Sequence, residues 1–277
     1  MKVAAVQMDV KIGEKERNLA RVLEFFGQAA SAGAKLVVFP ECALSGYCFT
    51  SRAEAEPAAE TVPGAATDKI FEVARKTGAS AVVGLLERAG AKLFNSAAVI
   101  GPGGLLGVHR KIHLLCLGID RYDDPGDIPF PVFSASGAKL GVNICFDCSF
   151  PESGRVVKLK GAQVLAIPTN WPARSDTWQY VPKVRAIENH LYVVAADRVG
   201  VERGVNFVGR SQIINPNGDV LAEAGETEET ILSAEIEPAA SDDNRVVRIP
   251  GEYEFDRIAA RRPETYGPIT AAPSATK

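Results

Sequence analysis

Three apolar runs of the sequence end abruptly in a residue that can do chemistry. Glu41 ends VVFPE, Lys111 ends GVHRK and Cys145 ends GVNIC. Such runs are typical of buried strands, and residues at the ends of neighbouring strands in one sheet can converge on a single site. Taken singly, each residue also has an ordinary structural interpretation: a helix-capping acid, a solvated charge and a small buried thiol.

Together the carboxylate, the ammonium and the thiol form a complete set for nucleophilic attack. Glu41 can take the proton of Cys145, because the thiolate is the stronger nucleophile. Attack on an amide or a nitrile places negative charge on oxygen or nitrogen, and a fixed cation at Lys111 stabilises that charge. Because Lys111 favours the thiolate and Glu41 opposes it, the sequence leaves the resting ionisation of Cys145 open.

This chemistry does not require histidine, although the chain contains three. His109 and His113 flank Lys111 and could suggest a cysteine-histidine pair. For His113 we consider a positioning role through a hydrogen bond, against the favoured alternative of a buried structural histidine. His190 falls in a predicted helix, where we expect it to pack.

Cys145 and Cys148 form a C-x-x-C motif, which supports a competing prediction of thiol-disulfide redox chemistry. With Cys42 and Cys48 they could also form a four-thiolate zinc site. We disfavour both, because redox motifs of this type open a compact βαβ unit and zinc sites usually present two close cysteine pairs. The odd number of cysteines, five in all, in a chain long enough to fold without disulfides indicates reduced thiols.

The segments that must position these residues alternate between strand and helix patterns. Short apolar runs such as VAAVQM and SAVVGLLE predict buried strands, whereas the apolar residues between Leu19 and Ala30 recur at helical spacing. GPGG and NPNG separate extended runs and predict hairpins. Strands joined by both helices and hairpins favour mixed sheets under outer helices, so the predicted fold class is a layered α/β sandwich. We expect residues 1–277 to form a single domain.

The C-terminal segment 241–277 has no apolar period of its own and mixes charge with proline and glycine. We predict that it forms an extended arm rather than part of the core. It nevertheless carries large apolar residues that need a surface to cover, namely Ile249, Tyr253, Phe255, Ile258 and Tyr266.

Composition and charge argue against several classes of partner. The 31 basic and 34 acidic residues give a formal net charge of −3, and there is no basic run, so neither nucleic acid nor an anionic membrane is expected. Gln7 and Asp9 interrupt the N-terminal apolar run before the apolar region of a signal peptide would be complete. No apolar stretch approaches the roughly 18 residues of a membrane span. We therefore expect a cytoplasmic protein.

The motifs resemble those of the nitrilase superfamily of carbon-nitrogen hydrolases. The similarity lies in AVQMDV, FPECALSGY, HRKIHL, GVNICFDCSFPE, LAIPTNWP, RAIENHLYVVAADRVG and RRPETYG, which follow one another nearly to the C-terminus. Several motifs in a fixed order are far more specific than any single one. The resemblance implies a four-layer α-β-β-α sandwich with two mixed sheets. It also implies a Glu-Lys-Cys triad at Glu41, Lys111 and Cys145, with neither a metal nor an organic cofactor.

The resemblance also implies supporting roles. The backbone N–H of Phe146 would share oxyanion binding with Lys111. Family members often carry a second carboxylate, usually glutamate, after the lysine motif; this chain offers Asp120, so either the shorter acid does that task or the position differs. A homo-oligomer built from a two-fold dimer is expected, with the C-terminal arm reaching onto the partner.

The reaction expected from this resemblance is hydrolysis of a small non-peptide amide to an acid and ammonia or an amine through a cysteine thioester. A nitrilase and an N-carbamoyl amide hydrolase are alternatives, because the same triad supports all three. A non-enzymatic interaction module is disfavoured, since the triad is intact. Tyr47, Asn170 and Trp171, and more weakly Trp178, are candidates for binding the small-molecule substrate, with simple packing of the aromatic rings as the alternative.

Overall fold

The computed structural model describes residues 1–271, and the chain divides after Asp242 into two compact units. The boundary falls next to Ser241, where the sequence predicts that the C-terminal arm begins. Among residues 1–271, no helix combines the length and the apolar character that crossing a membrane would need.

Strands and helices alternate along most of the first unit. The strands are β1 (Lys2–Asp9), β2 (Leu36–Val38), β3 (Ser80–Ala89), β4 (Lys92–Gly101), β5 (Gly104–Arg110), β6 (Val132–Ala135), β7 (Ala138–Val142), β8 (Val164–Thr169), β9 (Tyr192–Val199), β10 (Val201–Glu202), β11 (Val205–Asn206), β12 (Gln212–Ile214), β13 (Val220–Glu223), β14 (Thr230–Glu235), β15 (Arg245–Ile249) and β16 (Tyr253–Asp256). The helices are α1 (Lys15–Ser31), α2 (Arg52–Ala55), α3 (Ala65–Thr77), α4 (Pro151–Leu159), α5 (Val181–Asn189) and α6 (Gly267–Thr270). Single 3-10 turns lie at Glu56–Ala58, Gly118–Arg121, Cys145–Ser149, Asp176–Gln179, Pro238–Ser241 and Pro263–Thr265.

Twelve strands of the first unit form two mixed sheets that meet at one short pairing. The first sheet has the order β5-β4-β3-β2-β1-β14, in which β1, β2 and β3 are parallel. The second has the order β6-β7-β8-β9-β12-β13, in which β7, β8 and β9 are parallel. The two join where Met8 and Asp9 of β1 pair with Arg198 and Val199 of β9.

Helices cover the outer faces of the two sheets. One apolar core lies between the sheets and joins Val38 of the first to Val142 of the second. A second core joins Phe26 of α1 and Ile70 of α3 to the other face of the first sheet. On the second sheet, Val157 of α4 packs close to the backbone of β7. The predicted α-β-β-α sandwich is therefore confirmed.

Burial on both faces explains why the central strands read as continuous apolar runs. Along β1, Val3 and Ala5 point into the core between the sheets, while Val6 and Met8 point towards the helices. Side chains alternate between the faces of a strand, so a strand with two covered faces needs apolar residues at every position.

The structure corrects the extent of one predicted helix. The helix predicted around His190 ends at Asn189, and the preceding residues Asp176–Gln179 form a separate 3-10 turn ahead of α5, with Pro182 in the first turn of that helix, where proline is favoured. Within the second unit, β15 and β16 pair as an antiparallel hairpin.

Candidate active site

Glu41 lies in a buried turn at the end of a very short strand. β2 ends at Val38, so Glu41 stands beyond the strand rather than at its last position, as the sequence suggested. The turn packs against the backbone of Gly84 in β3, which has no side chain. A Cβ added to Gly84 would approach the Pro40 carbonyl oxygen and would lie 2.6 Å from the Cys42 nitrogen and 2.7 Å from the Glu41 Cα. This contact places the Glu41 side chain at the interior end of the first sheet, fully buried.

Lys111 follows β5 directly, as the sequence predicts, and its ammonium is fully buried. Its backbone N–H donates to the Asn95 carbonyl of β4 at 2.8 Å. The Nζ donates to Glu41 Oε1 at 2.6 Å and to Asp120 Oδ2 at 2.6 Å. The ammonium therefore sits between two carboxylates.

The structure locates Asp120 in the 3-10 turn Gly118–Arg121, beside Lys111. Sequence reasoning did not find Asn95, whose side-chain N–H groups donate to Glu41 Oε1 at 2.6 Å and to Asp120 Oδ1 at 3.0 Å. The signal was a polar residue inside the apolar run LFNSAAVI. The Asn95 amide nitrogen therefore bridges the two carboxylates that bind the Lys111 ammonium.

Cys145 opens a 3-10 turn instead of extending a strand. The run GVNIC was predicted as a strand, but β7 ends at Val142 and the turn Cys145–Ser149 follows. The φ of Cys145 is 45°, in the left-handed region that non-glycine residues rarely adopt. Its thiol lies close to Thr169 and to the backbone N–H of Asn170. That same N–H donates to Glu41 Oε2 at 3.0 Å, so Asn170 adjoins both the thiol and the carboxylate.

The surroundings of Cys145 decide the ionisation that the sequence left open. Burial raises the pKa of the Cys145 thiol well above its usual value, and the charge of Glu41 raises it further, against the opposing effect of Lys111. The thiol is therefore protonated at neutral pH. For Lys111, burial lowers the pKa but Glu41 and Asp120 outweigh it, so the pKa lies well above its usual value and the lysine is a cation. Burial raises the pKa of Glu41, although Lys111 opposes the rise.

Three candidate pocket residues carry buried polar atoms that find no hydrogen-bond partner within residues 1–271. The Tyr47 ring centroid is 5.7 Å from Lys111 Nζ, and its buried hydroxyl finds no hydrogen-bond partner within residues 1–271. The same holds for the side-chain amide of Asn170 and for Trp171 Nε1 in the described part of the chain. Buried polar atoms are normally paired, so these are positions where a bound small molecule or water would complete the bonding.

Trp178 and Phe146 have different surroundings from these three residues. Trp178 packs against Trp171 with ring centroids 5.2 Å apart, and its indole N–H donates to the Arg210 carbonyl at 3.0 Å. Its polar atom is thus used within the protein. Phe146 is partly buried, and its ring lies edge-on to that of Phe150.

Two further acids, which the sequence did not indicate, accept hydrogen bonds from the backbone of Trp171 and Tyr47. Asp197 Oδ1, at the end of β9, accepts the backbone N–H of Trp171 at 2.9 Å. Glu202 Oε1 accepts the backbone N–H of Tyr47 at 2.9 Å. Both acids are buried, and each lies far from its partner in sequence, so no local pattern reveals the contact.

Neither alternative use of the cysteines finds support among the described residues. Cys42, Cys48, Cys116, Cys145 and Cys148 are all free thiols. Among residues 1–271, no group of three or more histidine, cysteine, aspartate or glutamate side chains is arranged to hold a metal ion. Burial raises the pKa of Cys148 to about 12, which opposes the thiolate that redox exchange needs.

Comparison with known sequences decides the family. The sequence model of the carbon-nitrogen hydrolases matches residues 2–245. The chain belongs to the carbon-nitrogen hydrolase family. It is 44% identical over 241 residues to a nitrilase from Pyrococcus abyssi, covering 86% of this chain and 90% of that one. It is 38% identical over 239 residues to omega-amidase NIT2-A of Xenopus laevis, covering 80% and 84%.

Solved structures agree with this membership. A carbon-nitrogen hydrolase from Helicobacter pylori G27 superposes with a TM-score of 0.85 at 25% identity, covering 98% of each chain. An amidase of the nitrilase superfamily from Nesterenkonia sp. AN1 gives a TM-score of 0.79 at 25% identity over 96% of this chain and 95% of that one. In a mutant of that amidase, acrylamide is joined to the active-site cysteine by Michael addition; this structure has a TM-score of 0.75 at 25% identity, covering 88% and 96%.

These findings confirm the predicted superfamily and fold. They also confirm the predicted class of enzyme: this hydrolase acts on non-peptide carbon-nitrogen bonds.

Proposed function

We propose that this carbon-nitrogen hydrolase cleaves small amides, with Cys145 as the nucleophile, Glu41 as the general base and Lys111 as the cation that stabilises developing charge. The observation that carries the proposal is the shared position of Asn170, whose N–H bonds Glu41 at 3.0 Å and lies close to the Cys145 thiol. The Asn170 N–H therefore adjoins both the proposed base and the proposed nucleophile. Lys111 Nζ lies 2.6 Å from Glu41 Oε1.

In the first half of the reaction, Glu41 takes the proton of Cys145 as the sulfur attacks the amide carbon. A base is required because the resting thiol is protonated. The negative charge that forms on the amide oxygen is held by Lys111 and by the backbone N–H of Phe146. Collapse of this tetrahedral species breaks the carbon-nitrogen bond, the leaving amine takes the proton from Glu41, and an acyl thioester stays on Cys145.

In the second half, Glu41 removes a proton from water as the water attacks the thioester carbon. The carbon-sulfur bond breaks, the acid is released, and the sulfur recovers its proton from Glu41. Asp120 bonds the far side of the Lys111 ammonium at 2.6 Å, which keeps the lysine charged and fixed throughout the cycle. Asp120 thus serves as the second carboxylate, although it is one methylene shorter than glutamate.

Small polar substrates suit the atoms left without partners around the site. The Tyr47 hydroxyl, the Asn170 amide and the Trp171 indole N–H are buried donors and acceptors that a substrate amide can satisfy. Similarity to omega-amidases and to an amidase whose cysteine reacts with acrylamide supports amides as the substrate class. Nitriles are the second candidate, because the Pyrococcus abyssi relative at 44% identity is a nitrilase.

Ammonia release from matched small substrates tests this proposal. We expect the wild type to release ammonia from propionamide, and Cys145→Ala to release none while melting like the wild type. Cys148→Ser, the matched control, should keep most of the activity. Faster ammonia release from propionitrile than from propionamide would favour a nitrilase. An N-carbamoyl amine as the best substrate would favour an N-carbamoyl amide hydrolase. Equal loss in Cys148→Ser and Cys145→Ala would replace the hydrolase with dithiol chemistry.

The oligomeric state and the cellular location of the protein are also proposals. We expect a homo-oligomer built from a two-fold dimer, which is the commonest symmetry of soluble oligomers. We also propose a cytoplasmic location, because five free thiols are compatible with a reducing compartment.

A further inference from the structure

A single buried carboxylate links the turn of Cys145 to the chain on both sides of Lys111. We infer that Asp147, two residues after Cys145, is a positioning residue that fixes the nucleophile relative to the lysine through His109 and His113. The inference rests on the proposed function, because it assigns these three residues to the geometry of that same site.

The two oxygens of Asp147 are each bonded to a different part of the site. Oδ2 accepts from His109 Nε2 at 2.9 Å, before Lys111, and from the Ile144 backbone N–H at 3.1 Å. Oδ1 accepts from His113 Nδ1 at 2.8 Å, after Lys111, and from the backbone N–H of the same histidine at 3.0 Å. The Ile112 N–H adds a longer contact at 3.3 Å to Oδ1.

Each component of this link is itself held in place. Asp147 and His109 are fully buried, and the Asp147 carbonyl accepts from the Ser153 hydroxyl at 2.7 Å. The His113 ring stacks on the Phe150 ring with centroids 3.8 Å apart and an interplanar angle of 14°. Neither imidazole can therefore turn away from the carboxylate without displacing a packed neighbour.

The carboxylate is ionised even though it is buried. Burial acts to raise the pKa of Asp147, but the hydrogen bonds from His109 and His113 outweigh it and hold the pKa well below the usual range. Hydrogen bonds to an ionised group are shorter and stronger than those between neutral groups, so this link is stiffer than one made by a neutral side chain.

The position of Phe146 connects the link to chemistry. Phe146 lies between Cys145 and Asp147, and its backbone N–H shares the oxyanion with Lys111 in the proposed mechanism. The left-handed φ of Cys145, 45°, is an unfavourable conformation that persists only when the surroundings impose it. Loosening Asp147 would let the thiol and this N–H move together away from Lys111, which would slow the chemical step more than it weakens substrate binding.

Paired substitutions at the two histidines separate positioning from bulk packing. The amide nitrogen of asparagine can replace His113 Nδ1, and that of glutamine can replace His109 Nε2, whereas leucine removes the donor at similar volume. We expect His113→Leu and His109→Leu to lose on the order of 10²-fold in kcat, with KM changed far less. His113→Asn and His109→Gln should recover most of this loss.

Two readouts make the result independent of stability and of substrate choice. Melting curves give the folded fraction of each variant. The rate of Cys145 alkylation against pH reports the pKa of the thiol, which changes when the thiol moves relative to Glu41 and Lys111. We expect an altered alkylation profile in the leucine variants and a wild-type profile in His113→Asn. If His109→Leu does not fold, the His113 pair decides, since that side chain is 28% exposed.

The inference and the proposed function fail in different ways. A folded His113→Leu that keeps both the wild-type kcat and the wild-type alkylation profile would overturn the positioning role, even if the enzyme hydrolyses amides. A wild type that releases no ammonia from any amide would overturn the proposed function, while the alkylation profiles would still test whether Asp147 places the thiol.

Discussion

The ionisation of Cys145 is the residue-scale property on which the mechanism depends. A cysteine beside a lysine is often a thiolate, but here Lys111 is shared by two carboxylates, and burial disfavours the charged sulfur. In the proposed mechanism the base must therefore act at the moment of attack, which gives Glu41 a direct part in forming the first bond.

Alkylation of Cys145 should accordingly rise with pH and show no plateau near neutrality. Removing the negative charge in Glu41→Gln should shift the profile to lower pH, because that charge raises the pKa of the thiol. The measurement is the iodoacetamide rate at the peptide that carries Cys145, in a Cys148→Ser background. A plateau below about pH 7, close to the range of activated thiolates, would show that the resting sulfur is charged.

At this scale the sequence predicted the residues whose chemistry is distinctive and missed those that act through contacts. Glu41, Lys111 and Cys145 could be proposed as a triad because each ends an apolar run. The structure places Lys111 against Glu41 and the Cys145 thiol close to the Asn170 N–H that bonds Glu41. Asn95 and Asp147 were not predictable, because their partners lie 54 and 38 positions away. An amide or a carboxylate inside a strand or a turn has no local signature of its distant partner.

At the scale of elements, the site depends on how the strands end. Lys111 follows β5 directly, whereas Glu41 and Cys145 lie beyond β2 and β7 in turns that the sequence extended into strands. Apolar runs predict burial well, but they do not show where hydrogen bonding to the neighbouring strand stops. In both turns the chain leaves the strand direction at a particular backbone feature. For Glu41 this is the close approach of its turn to Gly84, and for Cys145 it is its own left-handed φ.

Gly84→Ala tests the first of these features. The new methyl group would lie within 2.7 Å of the Glu41 Cα, so the turn or β3 must shift. Because an error of about 1 Å can cost on the order of 10²-fold in rate, we expect a large loss of kcat together with a lower melting temperature. Gly103→Ala is the matched control, since nothing lies within 4 Å of the added carbon. Equal activity in the two variants would mean that Gly84 does not determine the Glu41 position.

For the whole molecule, an acid whose carboxylate oxygens are buried near the site links stability to pH. Both carboxylate oxygens of Asp123 are buried without a hydrogen-bond partner in residues 1–271. Burial, reinforced by the charge of Asp120, raises the pKa of Asp123 to about 9. An unfolded aspartate titrates near 3.9, so between these two values the folded state binds more protons than the unfolded state. Stability contributed at low pH is therefore lost as the pH rises through this window.

Asp123→Asn should reduce this loss, because asparagine cannot ionise. We expect the variant to gain unfolding free energy relative to the wild type as the pH is raised from 5 to 9. Urea unfolding at several pH values, followed by circular dichroism, measures the difference. Parallel curves for the two proteins would indicate that Asp123 has an ordinary pKa.

The C-terminal unit is where the sequence predicts association. Val247, Ile249 and Tyr253 of its hairpin are exposed in the single chain, at 46%, 49% and 56%. We expect truncation after Asp242 to weaken a two-fold dimer and to lower the melting temperature in a concentration-dependent way. Sedimentation across a concentration range compares the two forms. A wild type that stays monomeric at high concentration would rule out the dimer, and a truncated form that dimerises like the wild type would exclude a role for this unit.

The central claim, that Cys145 carries the acyl group during hydrolysis, is tested most directly by mass spectrometry of enzyme quenched in acid during turnover of propionamide. We predict a mass increase of one propionyl group that fragmentation assigns to Cys145, present in Cys148→Ser and absent from Cys145→Ala. In Glu41→Gln the adduct should not accumulate, because the base for its formation is missing. An adduct on Cys148, or continued turnover by Cys145→Ala, would contradict the claim.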